Sequence, residues 1–344
     1  MLNLINVILI RHGMFRKDVR GYAALLLALS SVSCSSFTSS FNMPVRASEF
    51  HQSKVIGCSL EYEKRDIDPT RRSVKERKDY ALEEIVFKSS SDSYKNDSAE
   101  VKLYNQKIGD KPVILFFPGL WMEDFTEEIC EDLARGGYNV AQIKPKHGFL
   151  WHENDIGFSV SLMRESIEDT RNLIDYLKKE EGFEHFLVSG VSLGGIQASL
   201  LSGIDRRIEG GALINTGGNL AELISKSGYH YVERFREYRK EQEKISDEEL
   251  DRMIKDATYC IDPITYAHRI NPRNFIFIRS KDDDIFIKES SIGLYNAMGC
   301  PETVILPGGH FALGYRNLII REVMKKFDKM YASDSACINE DHYD

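Results

Sequence analysis

The sequence predicts an α/β domain: a mostly parallel sheet covered by helices on both faces, with a helical insertion ahead of a late strand. Three observations carry this. Short apolar runs alternate with helix-patterned segments from about residue 80 to 332, the rhythm of strand–helix–strand units. One run, Pro112 to Phe117, is continuously apolar from Val113 on, as strands buried on both faces of a parallel sheet are. A glycine-flanked serine, Gly190-Val191-Ser192-Leu193-Gly194, stands between an apolar strand and a helix.

In chain order, Glu84–Lys88 and Val101–Ile108 are strand candidates, joined as a hairpin around the polar stretch 89–99. Val113–Phe117 is followed by a helix over Glu123–Arg135, which Gly136-Gly137 ends. Tyr138–Ile143 is the next strand. Phe158, Leu162, Ile167, Ile174 and Leu177 fall on one stripe of a long helix that ends near Gly182. His185–Ser189 is a strand and Gly194–Leu201 a helix; Gly211–Ile214, Phe275–Ile278 and Thr303–Leu306 are further strands, and Asn317–Met330 a closing helix.

Residues 219–265 break the rhythm. Tyr231, Phe235 and Tyr238 make a helical stripe there, and Ser246-Asp247-Glu248-Glu249 is a capping box that starts another helix. The expectation is a helical cap over Ser192 that supplies a substrate pocket from this aromatic stripe, with simple packing of the stripe on the sheet as the alternative.

The ends read differently. Arg16, Lys17 and Arg20 precede the apolar run Tyr22–Leu29, and small residues lead to Cys34, so residues 1–34 have the layout of an export signal too short to span a membrane. The pattern resembles a bacterial lipoprotein signal with Cys34 as the lipidated residue, although Ser31 stands where leucine is usual. It implies anchoring at the cell envelope; an uncleaved tail on a cytoplasmic enzyme is the alternative, and Met14 competes with Met1 as the start. Residues 35–79, Ser-rich and then charged, are read as tether and linker, 80–332 as the folded domain and 333–344 as a tail.

Charge excludes one class of partner. The whole chain carries −8 while its first 34 residues are net positive by three, leaving about −11 on the remainder. A nucleic-acid partner held through phosphates does not fit that balance. The six cysteines show no C-x-x-C spacing, which argues against a zinc site or a small disulfide framework.

The chemistry centres on Ser192. In a G-x-S-x-G turn the serine is forced into strained backbone angles, glycine neighbours avoid side-chain clashes, and the helix N-terminus faces the developing oxyanion. A base and an acid should follow in the order acid, then histidine. His310, in Pro307-Gly308-Gly309-His310-Phe311, comes directly after the last strand; His268 is left to packing or solvent. The acid belongs to Asp282-Asp283-Asp284, after strand Phe275–Ile278, where a carboxylate would hold the histidine tautomer. A metal site is the competing reading of three aspartates, but consecutive loop residues rarely converge on one ion and no EF-hand spacing is present. Oxyanion donors would be the N–H of Leu193 and, from the loop Phe117-Pro118-Gly119-Leu120, that of Leu120.

Together these residues resemble the α/β-hydrolase superfamily over about residues 80–330, and Asp262-Pro263-Ile264-Thr265-Tyr266-Ala267 is similar to bacterial esterase-like and acylaminoacyl-peptidase-like members. The family pattern Gly-x-x-Asp-x-x-Val-Pro selects Asp283, with Ser280 in the glycine place and Phe286-Ile287 in the Val-Pro places. Pro118 replaces the family's usual histidine before Gly119. The resemblance implies hydrolysis of an ester, thioester or amide of a small acyl substrate, without metal or organic cofactor. A carboxylic ester hydrolase leads. An exopeptidase, with Glu153, Asp155 or the acidic insertion holding a charged terminus, and an inactive binding protein on the same fold are the alternatives.

Overall fold

The computed structural model describes residues 58, 60–90, 98–106, 111–146, 148–311 and 313–337. Among them, β1 (Thr70–Glu76), β2 (Tyr80–Lys88), β3 (Ser98–Gln106), β4 (Val113–Phe117), β5 (Asn139–Ile143), β6 (Phe186–Val191), β7 (Ile208–Ile214), β8 (Phe275–Ser280) and β9 (Glu302–Leu306) make one sheet. Its spatial order is β1-β2-β3-β5-β4-β6-β7-β8-β9. The first three strands pair antiparallel, β3 meets β5 antiparallel, and every pair from β5 to β9 is parallel.

The helices are α1 (Glu123–Arg135), α2 (Ile156–Glu180), α3 (Leu193–Ile204), α4 (Leu220–Lys226), α5 (His230–Glu243), α6 (Asp247–Thr258), α7 (Pro263–Tyr266), α8 (Lys288–Ala297) and α9 (Arg316–Cys337). β4, β5 and β6 are buried throughout, because helices cover both of their faces. The two-residue period sorts their side chains into two cores. Val113, Leu115 and Phe117 join Val188 and Leu213 beneath α2 and α3. Ile114 and Phe116 join Val140, Leu187 and Ile276 against Leu133 of α1 and Phe327 of α9. Such side chains each stabilise the fold by roughly 1.5–3 kcal/mol when buried.

The expected elements are present with small boundary shifts, and the capping box closes as read, with Ser246 and Glu249 exchanging side-chain-to-backbone bonds. Two domain boundaries differ from the sequence reading. The stretch expected to be linker up to residue 79 contains β1 and packs on α2. The Tyr62 hydroxyl donates to Asp175, the Arg171 guanidinium lies 3.8 Å from the Tyr62 ring, and the Arg65 N–H donates to Asn172. β1 escaped notice because it is exposed on both faces and so carries no apolar alternation; its Arg71 and Arg72 pair instead with Glu83 and Glu84 of β2. At the other end α9 runs on to Cys337, past the expected start of the tail. The Ser-rich tether and the lipoprotein-like segment, Cys34 included, lie outside the described residues.

The cysteines also hold a bond that spacing did not reveal. Cys58 and Cys260 form a disulfide across 202 residues, tying the start of the described chain to the end of the insertion. A bridge closing so long a loop removes much denatured-state entropy. Cys58→Ser should lower the unfolding free energy by about 2–5 kcal/mol under non-reducing conditions. Denaturant titration with and without dithiothreitol checks this: reductant should bring wild type down to the variant. Identical midpoints in all samples would remove the bridge from the stability of the fold.

Candidate active site

Ser192 sits between β6 and α3 with φ 57° and ψ −122°, a left-handed conformation that costs a non-glycine residue of order 1–3 kcal/mol. The surrounding backbone enforces it. The Ser192 N–H donates to the Ile214 carbonyl at 2.9 Å, and the Thr216 hydroxyl donates to the Ser192 carbonyl at 2.9 Å. The neighbours must be glycine for lack of space: a Cβ on Gly190 would fall 2.2 Å from the Gly194 carbonyl oxygen, and one on Gly194 2.0 Å from that of Phe117. The turn therefore projects the serine side chain from the end of the sheet.

Two loops bring the partners. His310 follows β9, and its Nε2 lies 2.9 Å from Ser192 Oγ. Its Nδ1 faces both carboxylate oxygens of Asp283, at 2.9 and 3.0 Å, from the loop after β8. With Nδ1–H donated to Asp283, Nε2 is left as acceptor for the serine hydroxyl. The imidazole is almost wholly buried and the Asp283 carboxylate nearly so. Asp283 is further held by the N–H groups of Ile285 and Phe286, at 3.0 and 2.9 Å on Oδ1. Asp282 and Asp284 are exposed, as is His268.

Other residues at this site carried no signal in the sequence analysis. The Asn215 side chain donates to the His310 carbonyl at 2.8 Å and accepts from the Ser280 hydroxyl at 3.1 Å, all three residues being buried. Ser280, in the family's glycine place, thus gains a bonded role. Phe286 stacks on the His310 ring at 5.5 Å and 23°, and Phe311 meets it edge-on at 5.1 Å.

No protein-family model matches the chain. Two curated relatives, uncharacterized proteins from two strains of Mycobacterium tuberculosis, are 28% identical over 163 residues, 47% of this chain. The chain's match spans only 37% of their length. Among solved structures, the acetyl xylan esterase of Paenibacillus sp. R4 superposes with a TM-score of 0.58 at 14% identity, over 76% of this chain and 89% of that one. Acetyl xylan esterase 1 of Thermoanaerobacterium sp. gives 0.56 at 14% identity over 76% and 87%. A Pyrobaculum calidifontis esterase gives 0.51 at 15% identity over 76% and 87%. The fold is that of the α/β-hydrolases.

In this α/β-hydrolase fold the loop after β4 crosses directly beside the serine, since a Cβ on Gly119 would stand 3.2 Å from Ser192 Cβ. Leu120 follows it, and Leu193 is the first residue of α3. Among the described residues, neither N–H makes a turn or capping bond to backbone. Leu120 and Leu193 both line a cleft of about 650 Å³, counted with its open mouth, that contains Ser192 and His310. Its walls come from α4 through Leu220, Leu223 and Ile224, from the start of α5 through Tyr231 and Val232, and from Phe149, Leu150, Ile285 and Phe286. None of the seventeen lining residues is Asp, Glu, Lys or Arg.

The insertion thus walls the cleft, but the aromatic stripe divides. Tyr231 lines it, with its hydroxyl donated to the Phe149 carbonyl at 2.8 Å. Phe235 is fully buried in the core and Tyr238 stands edge-on to His152 at 5.3 Å, so neither reaches substrate space.

Both ends of the insertion are held by one carboxylate. Asp262 accepts from Asn219 N–H at 3.0 Å and Leu220 N–H at 2.6 Å at the start of α4, and from Ile264 N–H at 3.0 Å. Burial pushes its carboxyl up to about 6, the three N–H bonds offsetting only part of the desolvation. The folded protein then keeps this proton at pH values where the unfolded chain, with an ordinary value of about 3.9, has released it. Its contribution to stability is largest below that lower value and falls as pH rises through about 6. The unfolding free energy of wild type relative to Asp262→Asn should accordingly drop by roughly 2–3 kcal/mol between about pH 4 and pH 7. Urea titrations of both proteins across that range measure it; a difference that is flat or rises with pH would contradict the buried-carboxyl assignment.

Proposed function

We propose that the protein is a serine hydrolase that cleaves carboxylic esters through an acyl-enzyme on Ser192. The observation that carries this is the continuous hydrogen-bonded chain Ser192–His310–Asp283 opening into an uncharged, apolar cleft. As the Ser192 oxygen attacks the acyl carbon, its proton passes to His310 Nε2 and the carbonyl electrons move onto oxygen. That oxyanion is received by the N–H of Leu193, at the N-terminus of α3, and by that of Leu120, in the loop after β4. Asp283 holds the ring orientation and stabilises the imidazolium. Collapse of the intermediate breaks the ester bond, and His310 returns its proton to the departing alcohol. Water, deprotonated by His310, then attacks the acyl-enzyme, and the carboxylic acid leaves with Ser192 restored.

The lining favours esters over exopeptidase substrates. A free peptide terminus needs a charged partner, and among the described residues lining the cleft there is no Asp, Glu, Lys or Arg. Glu153 is largely exposed outside the lining, and Asp155 is spent capping α2 by accepting the Phe158 N–H at 2.6 Å.

Ser192→Ala should abolish labelling by a fluorophosphonate probe together with ester turnover. Asp283→Asn should lose about 10⁴ in kcat while folding normally, because the imidazole is left in the wrong tautomer. Steady-state kinetics on a short p-nitrophenyl ester and gel fluorescence read both. Labelling that survives in the alanine variant would dispose of the nucleophile assignment; a crippled Asp282→Asn or Asp284→Asn beside an active Asp283→Asn would move the acid.

We further propose export with a lipid anchor on Cys34. The basic, apolar and small-residue sequence before Cys34 supports this, and so does the Cys58–Cys260 disulfide, a bond that persists in oxidising compartments. Among the described residues no helix is long and apolar enough to cross a membrane. In a bacterial host, wild type should partition into detergent and carry acyl mass, and Cys34→Ser should not; a mature wild type without acyl mass on intact-protein mass spectrometry would end the anchor proposal.

A further inference from the structure

Ser192 and His310 come from the ends of different strands, and two consecutive residues after β7 hold the backbone of both. The Thr216 hydroxyl donates to the Ser192 carbonyl at 2.9 Å, and the Asn215 amide donates to the His310 carbonyl at 2.8 Å. Together with the 2.9 Å contact between Ser192 Oγ and His310 Nε2, these bonds close a ring through Ser192, Thr216, Asn215 and His310. Asp283 is not a member of it.

The ring has a fixed frame. Asn215 N–H donates to the Ile278 carbonyl at 2.7 Å, and the Ile214 carbonyl accepts from Ser192 N–H at 2.9 Å, so the turn after β7 is tied to β8 and to the serine turn at once. Thr216 is fully buried and seated against the first turn of α3, where a Cβ on Gly195 would stand 2.5 Å from the Thr216 Cβ. Asn215 has φ 44°, a left-handed conformation that asparagine adopts more readily than most side chains. Its amide is also oriented. A carbonyl only accepts, so the NH2 faces His310, and the amide oxygen accepts from the Ser280 hydroxyl at 3.1 Å.

The main chain of His310 depends on this hold. Its loop passes through Gly308 at φ 95°, and among the described residues no backbone–backbone hydrogen bond involves His310. Asp283 and Phe286 restrain the imidazole ring rather than the backbone that carries it. Nε2 must take the Ser192 proton, return it to the alcohol, and repeat both steps with water, so its distance from Oγ enters every chemical step.

We infer that Asn215 and Thr216 are positioning residues that set the separation of Ser192 Oγ from His310 Nε2 by holding the two carbonyls. This rests on the serine-hydrolase reading. Neither side chain lines the cleft, so both act on kcat and leave substrate binding alone.

Asn215→Gly removes the amide and keeps the left-handed backbone accessible. On p-nitrophenyl butyrate it should lower kcat about 10–100-fold, the cost of misplacing a reacting group by a fraction of an ångström to an ångström, with KM within about twofold of wild type. The same substitution in a His310→Ala background should change the residual rate by less than about twofold, because its effect passes through the histidine. An equal loss in both backgrounds is what a merely structural residue gives, and it overturns the proposal. So does an unchanged kcat, or a loss confined to KM. Thermal midpoints show whether Asn215→Gly is folded at the assay temperature. If it is not, Thr216→Val decides: the proposal requires a kcat loss at constant KM, most of it recovered in Thr216→Ser, which keeps the hydroxyl. Wild type separates the two levels. Fluorophosphonate labelling and turnover with kcat unmoved in the folded variants defeat the positioning role alone, whereas a wild type that neither labels nor turns over defeats the hydrolase reading and this inference with it.

Discussion

The strained backbone at Ser192 is the constraint on which the site depends. A serine at positive φ is held there because the first turn of α3 packs directly against the end of β4, leaving no room for side chains at Gly190 or Gly194. That close approach does three things at once. It lifts the hydroxyl above the sheet, sets it at the N-terminus of α3, and brings the loop after β4 within contact of the serine. The oxyanion donors proposed here, Leu193 and Leu120, are adjacent because of this packing, although 73 residues separate them in the chain.

The histidine side is built by a different means. His310 and Asp283 come from loops after β9 and β8, and neither is held by its own element alone. Backbone bonds join the two loops, from Lys281 N–H to the Leu306 carbonyl and from Asp282 N–H to the Gly308 carbonyl. Asn215, after β7, holds the His310 backbone from below. Strand ends β7, β8 and β9 are neighbours in the parallel sheet, so their loops meet without long reaches. The parallel order that makes the core also gathers the chemistry at one edge.

This division explains what the sequence revealed. Ser192 and His310 were legible because each is tied to a local pattern, a glycine turn between strand and helix and a glycine-flanked histidine after the last strand; the place after a strand narrowed the acid to Asp282–Asp284, and only the resemblance to the family pattern selected Asp283. The core strands were legible because burial on both faces leaves an unbroken apolar run. The rest depends on partners remote in sequence. Nothing near Cys58 announces Cys260, nothing in Asn215 announces His310, and β1 shows no alternation because both of its faces are solvated. Within the insertion, one helical stripe sends Tyr231 to the cleft and Phe235 to the core, a distinction that periodicity cannot draw.

The insertion itself is a wall tied down at its two ends by unlike interactions. Asp262 gathers N–H groups from both ends of the segment, and Cys260, two residues earlier, is bonded to Cys58. A buried carboxylate bridging three amides resists displacement because moving any of them strands a polar group away from water. The disulfide resists it covalently. The aliphatic inner wall carried by α4 is therefore the part of the cleft with least freedom to adapt. In the proposed hydrolase, the fit of a substrate to this wall is in this way coupled to the stability of the fold.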